Sequence, residues 1–193
     1  MVASLRMSLP TAVGGKTRKM SIERFRQWHS HDGWKYDWNI GKITKYKLMV
    51  SEKQRFIVQN LLDVFYAKSL NKQGGLIPES EMAYDDMRYR VPDIAYYTRK
   101  QTKAAAAGEH TVSSFVIEIL SDSDLQKSIE NKLWEYFEEG VQVVWHIIPY
   151  RQIVKVYTSP RHVEILTDDE ICSANPALSD FKITVNHIFE LKD

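Results

Sequence analysis

Hydrophobic positions along the chain change period several times, and each period predicts a different element. Residues 1–19 mix Ser, Thr, Gly and basic residues without an apolar period, so a flexible basic leader is expected over 1–20 and a single ordered domain over 21–193. Ser21 is a candidate N-cap for a short helix in which Ile22, Phe25 and Trp28 recur every three residues, ended by an Asp32-Gly33 turn. Trp34, Tyr36, Trp38 and Ile40 then alternate with Lys35, Asp37 and Asn39, the period of a half-buried strand, and Gly41 invites a hairpin.

Ser51 opens a second predicted helix whose broad apolar face carries Phe56, Ile57, Leu61, Leu62, Val64 and Phe65 and runs to about Tyr66, with residues 71–75 expected to end it. Strand-like runs follow at 76–84, 91–97 and 114–120, and the polar, Ala-rich stretch 100–109 reads as a loop. Ser123 and Gln126 have capping-box spacing at the head of a helix over about 124–139, which Gly140 stops. An apolar run at 141–148, a turn at 149–152 and strands at 153–157 and 162–166 complete the pattern. The order is mixed α/β, with a strand, helix, strand crossover in the middle.

Composition narrows the class. The chain has 193 residues, 44% hydrophobic and 26% charged, the balance of a folded domain with one sizeable core. No stretch approaches the ~18 apolar residues of a membrane span, and residues 1–20 lack a signal-peptide apolar run, so no membrane partner and a cytoplasmic address are expected. Cys172 is the single cysteine, which excludes an internal disulfide and a multi-cysteine zinc site. The net charge of +1 hides an asymmetry: residues 1–53 hold 11 Lys and Arg against 4 Asp and Glu, the remainder 15 against 21. The basic N-terminal part is either a solvated arm or a nucleic-acid contact.

Candidate chemistry begins with Glu118, a lone carboxylate inside the apolar run Phe115-Val116-Ile117-Glu118-Ile119-Leu120. A buried carboxylate must be protonated, paired or bound to a cation, so a partnering Arg or Lys competes with a metal as its explanation. Asp93, after Pro92 at the head of another apolar strand, is a second carboxylate, read either as a turn cap or as a companion to Glu118. Two acids on neighbouring strands suit Mg²⁺, which takes a few carboxylates and keeps waters. At about 100° per residue from Leu125, Tyr136 lies near about 20°, Lys132 near about -20° and Lys127 near about 200°. Lys132 therefore falls within the apolar stripe, either paired with Glu118 or snorkelling past Leu125 and Tyr136 to water.

These residues resemble the PD-(D/E)xK nuclease superfamily, and within it the Uma-type restriction endonuclease family. The carriers are Tyr36 to Gly41 (YDWNIG), the Pro92-Asp93 pair, Val116 to Ser121 (VIEILS), Lys132 to Tyr136 (KLWEY) and Gly140 to Trp145 (GVQVVW). The resemblance implies a restriction-endonuclease-like core, a mixed central sheet flanked by helices, with an N-terminal helix and hairpin added. It matches Asp93 and Glu118 to the metal-binding acids and Lys132 to a helical lysine that replaces the one usually two residues after the acid, where Leu120 stands. Asp37 occupies a position that usually carries Glu, Gln54 stands near a usual His, and Ile148 where Asp is frequent.

The implied activity is metal-dependent hydrolysis of phosphodiester bonds in nucleic acid, expected to be DNA, by Mg²⁺ or Mn²⁺. Asp93, Glu118 and the Ile119 carbonyl would hold the metal. Lys132 would orient the attacking water, and Asp37 would bind the metal through water or place Lys132. A homodimer is suggested by relatives that cut two strands with two subunits. The competing reading keeps the fold but makes the protein a catalytically silent DNA-binding or interaction module; a glycosidase using Asp93 and Glu118 is more distant, because it gives Lys132 no task. Trp28, Trp34, Tyr36 and Trp38 near several lysines serve either base stacking or hairpin packing. His29 and His31 read as solvated, His146 as a structural residue, Cys172 as inert and residues 168–170 as an exposed turn.

Overall fold

The structure, a computed structural model, describes residues 20–21, 24–25, 34–39, 41–47, 55–85, 88–121 and 126–192. The leader 1–19, Ile22, Trp28, the histidines at 29 and 31, the Asp32-Gly33 turn, Ser51, Gln54 and the Ser123 to Leu125 segment lie outside the described residues, as do the side chains of Trp34, Tyr36 and Asp37. Twelve strands and four α-helices are described. They are β1 (Trp34–Asn39), β2 (Lys42–Lys47), α1 (Arg55–Ala67), β3 (Gly74–Pro78), β4 (Met82–Asp85), β5 (Arg88–Arg90), β6 (Ile94–Thr98), α2 (Arg99–Ala106), β7 (Phe115–Ile119), α3 (Gln126–Glu138), β8 (Val143–Ile148), β9 (Ile153–Ser159), β10 (His162–Leu166), β11 (Ile171–Ala174), β12 (Leu178–Thr184) and α4 (Val185–Phe189).

The central sheet has six strands in the order β10-β9-β8-β7-β6-β3. Every pair is antiparallel except β7 with β8, which are parallel and joined through α3, as the middle of the sequence pattern predicts. All residues of β7 and β8 are buried, which requires cover on both faces. Alternate residues divide between two cores. Phe115, Ile117 and Ile119 join Ile57, Leu61, Phe65, Trp145 and Phe181 on one face, whereas Val116 and Val144 join Leu133 and Tyr136 of α3 on the other.

A four-stranded sheet, β2-β1-β5-β4, stands beside this core. The β1–β2 hairpin pairs Asn39 with Lys42 across a tight turn in which Gly41 adopts φ +80°, the left-handed conformation that the sequence position asks for. Trp38, Phe25 and Tyr89 form its small buried cluster. Met20 extends it: its N–H donates to the Gly41 carbonyl at 3.1 Å, and its own carbonyl accepts from Trp38 Nε1 at 2.6 Å. Ser21 Oγ accepts from the Arg24 N–H at 3.4 Å, in keeping with the expected cap.

Several expectations are corrected. Residues 100–109 are not a loop: Arg99–Ala106 is helical, with Thr98 and Gln101 forming a reciprocal capping box. The run 76–84 is two strands in two different sheets, separated where Glu79 takes φ +50°. Gly74 and Gly75 begin β3 rather than ending α1, which stops at Ala67 ahead of Ser69 in the left-handed region. Pro92 and Asp93 lie in the bend between β5 and β6 instead of in a strand. The C-terminal hairpin β11–β12 and α4 were not foreseen. They complete the main core with Cys172, Phe181, Ile183, Val185 and Ile188, and Asn60 of α1 donates to the Ile188 and Glu190 carbonyls.

Candidate active site

The site is built on the α3-facing side of the central sheet. Asp93 immediately precedes β6, whose first residue, Ile94, pairs with Ile117, the neighbour of Glu118. Asp93 and Glu118 are both almost fully buried, at 1% and 2% exposure, which makes their partners decisive. Asp93 Oδ2 accepts the Ile119 N–H at 2.7 Å, so its side chain occupies the ladder position that opens where β6 begins. Ile119 thus touches Asp93 through its N–H.

Glu118 is answered from α3. Lys132 Nζ lies 2.8 Å from Glu118 Oε1, and the Tyr136 hydroxyl donates to the same oxygen at 2.5 Å. Lys132 and Tyr136 are four residues apart, one turn along one side of the helix, which is why a single element delivers both donors. Lys127 is exposed, as the helical angle predicts. The structure therefore brings Lys132 to Glu118 and sets Asp93 beside Ile119. Asp37 is placed only as backbone, in β1 across from Thr44.

His146 extends the cluster along the sheet. It pairs in register with Glu118 on one side and with Lys155 on the other, and its ring lies 5.0 Å from that of Tyr157. Burial pushes its pKa down to about 4; Glu118 pulls it up, and Lys132 and Lys155 push it further down. It is a neutral imidazole at pH 7. Sequence reasoning placed His146 as structural and Tyr136 as core, and missed that both border Glu118; the four-residue spacing of Lys132 and Tyr136 was the available signal. Cys172 is buried, and that burial, with Glu170 nearby, raises its thiol pKa to about 12, which leaves it inert.

A second set of charges ties α3 to the smaller sheet. Arg90 donates to Glu135 Oε2 through both Nε and a terminal nitrogen, with both side chains largely buried. Arg88 bridges Asp85 and Glu139. The helix carrying Lys132 and Tyr136 is thus gripped by β5, the strand that leads directly into Asp93.

The donors available to a hard divalent cation are two buried carboxylates, Asp93 in the bend before β6 and Glu118 on β7, with the lysine on one oxygen of Glu118. Among the described residues no three His, Cys, Asp or Glu side chains gather around one point. Among the described residues, no helix is long and apolar enough to cross a membrane.

Comparison with known proteins follows the same lines. A solved structure of a putative nuclease belonging to DUF820, from Anabaena variabilis ATCC 29413, matches with a TM-score of 0.72 and 20% identity, over 88% of this chain and 97% of that one. The likeness establishes the fold, a mostly antiparallel sheet flanked by helices. None of the curated proteins matches this chain. A family model described as Uma2, putative restriction endonuclease, matches residues 22–186, a span that contains every described element from β1 through β12 and reaches into α4. The chain belongs to the Uma2 family.

Proposed function

We propose that this protein is a metal-dependent nuclease that hydrolyses phosphodiester bonds, with DNA in the bacterial cytoplasm as substrate. The observation that carries the reading is the buried Lys132–Glu118 pair, with the equally buried Asp93 hydrogen-bonded to the next residue, Ile119. Asp93, Glu118 and the Ile119 carbonyl are the groups assigned to hold Mg²⁺, with Mn²⁺ as a substitute. When bound, the cation supplies charge neutralisation at the phosphate and acidifies a bound water. Lys132 holds Glu118 through Oε1 and orients the water, while its ammonium offsets charge that develops on the phosphate. Asp37, on β1, is assigned to support the site from the neighbouring sheet, and cutting both strands of a duplex calls for a homodimer.

The test offers plasmid, linear duplex, single-stranded DNA and RNA with Mg²⁺, Mn²⁺ or chelator. Metal-dependent cleavage that is lost in both Asp93→Ala and Glu118→Ala supports the enzyme. A second reading also has an observation behind it: Lys132 and Tyr136 already answer Glu118, as in a structural ion cluster. Salt-sensitive nucleic-acid binding without cleavage under every metal would favour that catalytically silent module.

A further inference from the structure

We propose that Tyr136 is a positioning residue for Glu118: its hydroxyl fixes the carboxylate through Oε1, so that a divalent cation is taken through the other oxygen. The inference rests on the reading of Glu118 as a cation-holding acid and assigns a role to a residue that otherwise counts as core.

The argument starts from burial. Tyr136 is 0% exposed, and a tyrosine hydroxyl in a core must find an acceptor. Its acceptor is Glu118 Oε1, at 2.5 Å. Lys132 converges on that same oxygen at 2.8 Å, with its ammonium 5.9 Å from the centre of the Tyr136 ring. Two donors on one carboxylate oxygen fix both the rotation of the carboxylate and the choice of oxygen that faces them. Both donors come from one turn of α3, and that helix is itself held by the Arg90–Glu135 pair. The carboxylate is therefore oriented by a rigid element before any cation arrives.

Partners of this kind hold a metal ligand in the geometry that binding requires, and removing one typically weakens metal affinity or activity about 10- to 100-fold. Tyr136 touches neither the cation nor the substrate in this scheme; it acts through Glu118. A tyrosine that only fills space would differ. Phenylalanine would keep the ring and the packing against Leu133 and Val144, with cation binding unchanged.

The experiment titrates Mn²⁺ calorimetrically into the full-length wild type and Tyr136→Phe, with circular dichroism to verify folding and cleavage measured against metal concentration. The expected result is a folded variant whose Mn²⁺ Kd rises about 10- to 100-fold. The metal concentration for half-maximal cleavage should rise with it, and the rate at saturating metal should change less. Equal Kd values for the two proteins would overturn the positioning role and leave the acids as cation ligands. A wild type that neither binds Mn²⁺ nor cuts any nucleic acid would overturn both readings together. Should Tyr136→Phe fail to fold, Tyr136 replaced by 3-fluorotyrosine keeps the hydroxyl. Its fluorine resonance should then shift with Mg²⁺ at the midpoint of the binding isotherm, and a resonance indifferent to Mg²⁺ in a protein that binds it overturns the proposal.

Discussion

Lys132 of α3 and Glu118 of β7 meet at 2.8 Å beneath the central sheet, whereas the resemblance drawn from the sequence would look for a lysine two residues after the acid, where Leu120 follows the end of β7. The cation that answers Glu118 stands on a helix, and so does the burden of orientation. A lysine at position 120 would be aimed by the strand it follows. Lys132 is aimed by helix packing, and its effect depends on how firmly α3 is seated.

Lys132→Met should keep most of the aliphatic length and remove the charge. Cleavage is expected to fall by at least about 10²-fold, the scale of losing one preorganised electrostatic group. Stability should fall as well, by up to about 3–5 kcal/mol, because a buried acid loses its counter-ion. Lys132→Met combined with Glu118→Gln should recover much of that stability and none of the cleavage. Lys127→Met, on the exposed face, should match wild type in both. Urea unfolding and a plasmid assay read the two effects separately, and wild-type cleavage by folded Lys132→Met removes this lysine from the mechanism.

Divalent metal should stabilise the folded protein. At a free concentration one hundred times its Kd, Mg²⁺ or Mn²⁺ is expected to add about 2.7 kcal/mol. Glu118→Ala should lose most of this response. Thermal scans with metal and with chelator at fixed ionic strength decide the matter; equal shifts in both proteins would mean general ion binding.

His146 predicts a pH dependence. Its folded pKa of about 4 lies below the unfolded value near 6.5, so the unfolded chain binds more protons between those limits. Its contribution to stability is full above about pH 6.5 and declines as pH falls toward about 4, a loss of about 3 kcal/mol. Denaturant midpoints at several pH values should show a shallower acid decline in His146→Gln than in wild type. Parallel curves would mean that the ring does not resist protonation in the fold.

Gly74→Ala should be severely destabilising, because the added Cβ would lie 2.2 Å from the Tyr97 carbonyl oxygen and 2.8 Å from the Tyr96 ring, and backbone cannot step aside cheaply. A loss of about 1–3 kcal/mol or more is expected. At Gly75 the nearest atoms belong to the Ile77 side chain, Cγ1 at 3.3 Å and Cδ1 at 3.5 Å, with no backbone in the way, so Gly75→Ala should cost far less. Urea midpoints of the two variants make the comparison, and equal losses would contradict the close approach of β3 to β6.

How much of this was legible in the sequence depended on burial. The crossover β7-α3-β8 was readable because Val116, Leu133 and Val144 bury one face and Ile117, Trp145 and Ile147 the other. Helix α2 buries no residue, so it leaves no apolar period to detect. Its signal was local instead, a Thr98–Gln101 capping box ahead of four alanines, the best helix formers. The split of 76–84 into β3 and β4 turns on the positive φ of Glu79, for which a Glu gives no warning. Within the site, the helical angle of Lys132 was computable from spacing. The acceptor of the Tyr136 hydroxyl was not, since it depends on which strand lies under the helix. The side chain of Asp37 lies outside the described residues, and its role stays an expectation.

The register between β6 and β7 carries one more implication. Ile94, Tyr96, Ile117 and Phe115 hold that register through the main core, and Asp93 and Glu118 are the residues that adjoin the Ile94–Ile117 pair. A slip of one residue would send each side chain of β6 through the sheet to the opposite surface. The hydrophobic residues thus act as an index for the acids that adjoin them in the chain. A variant that let β6 slide against β7 could silence the site while every charged side chain in it remained as written.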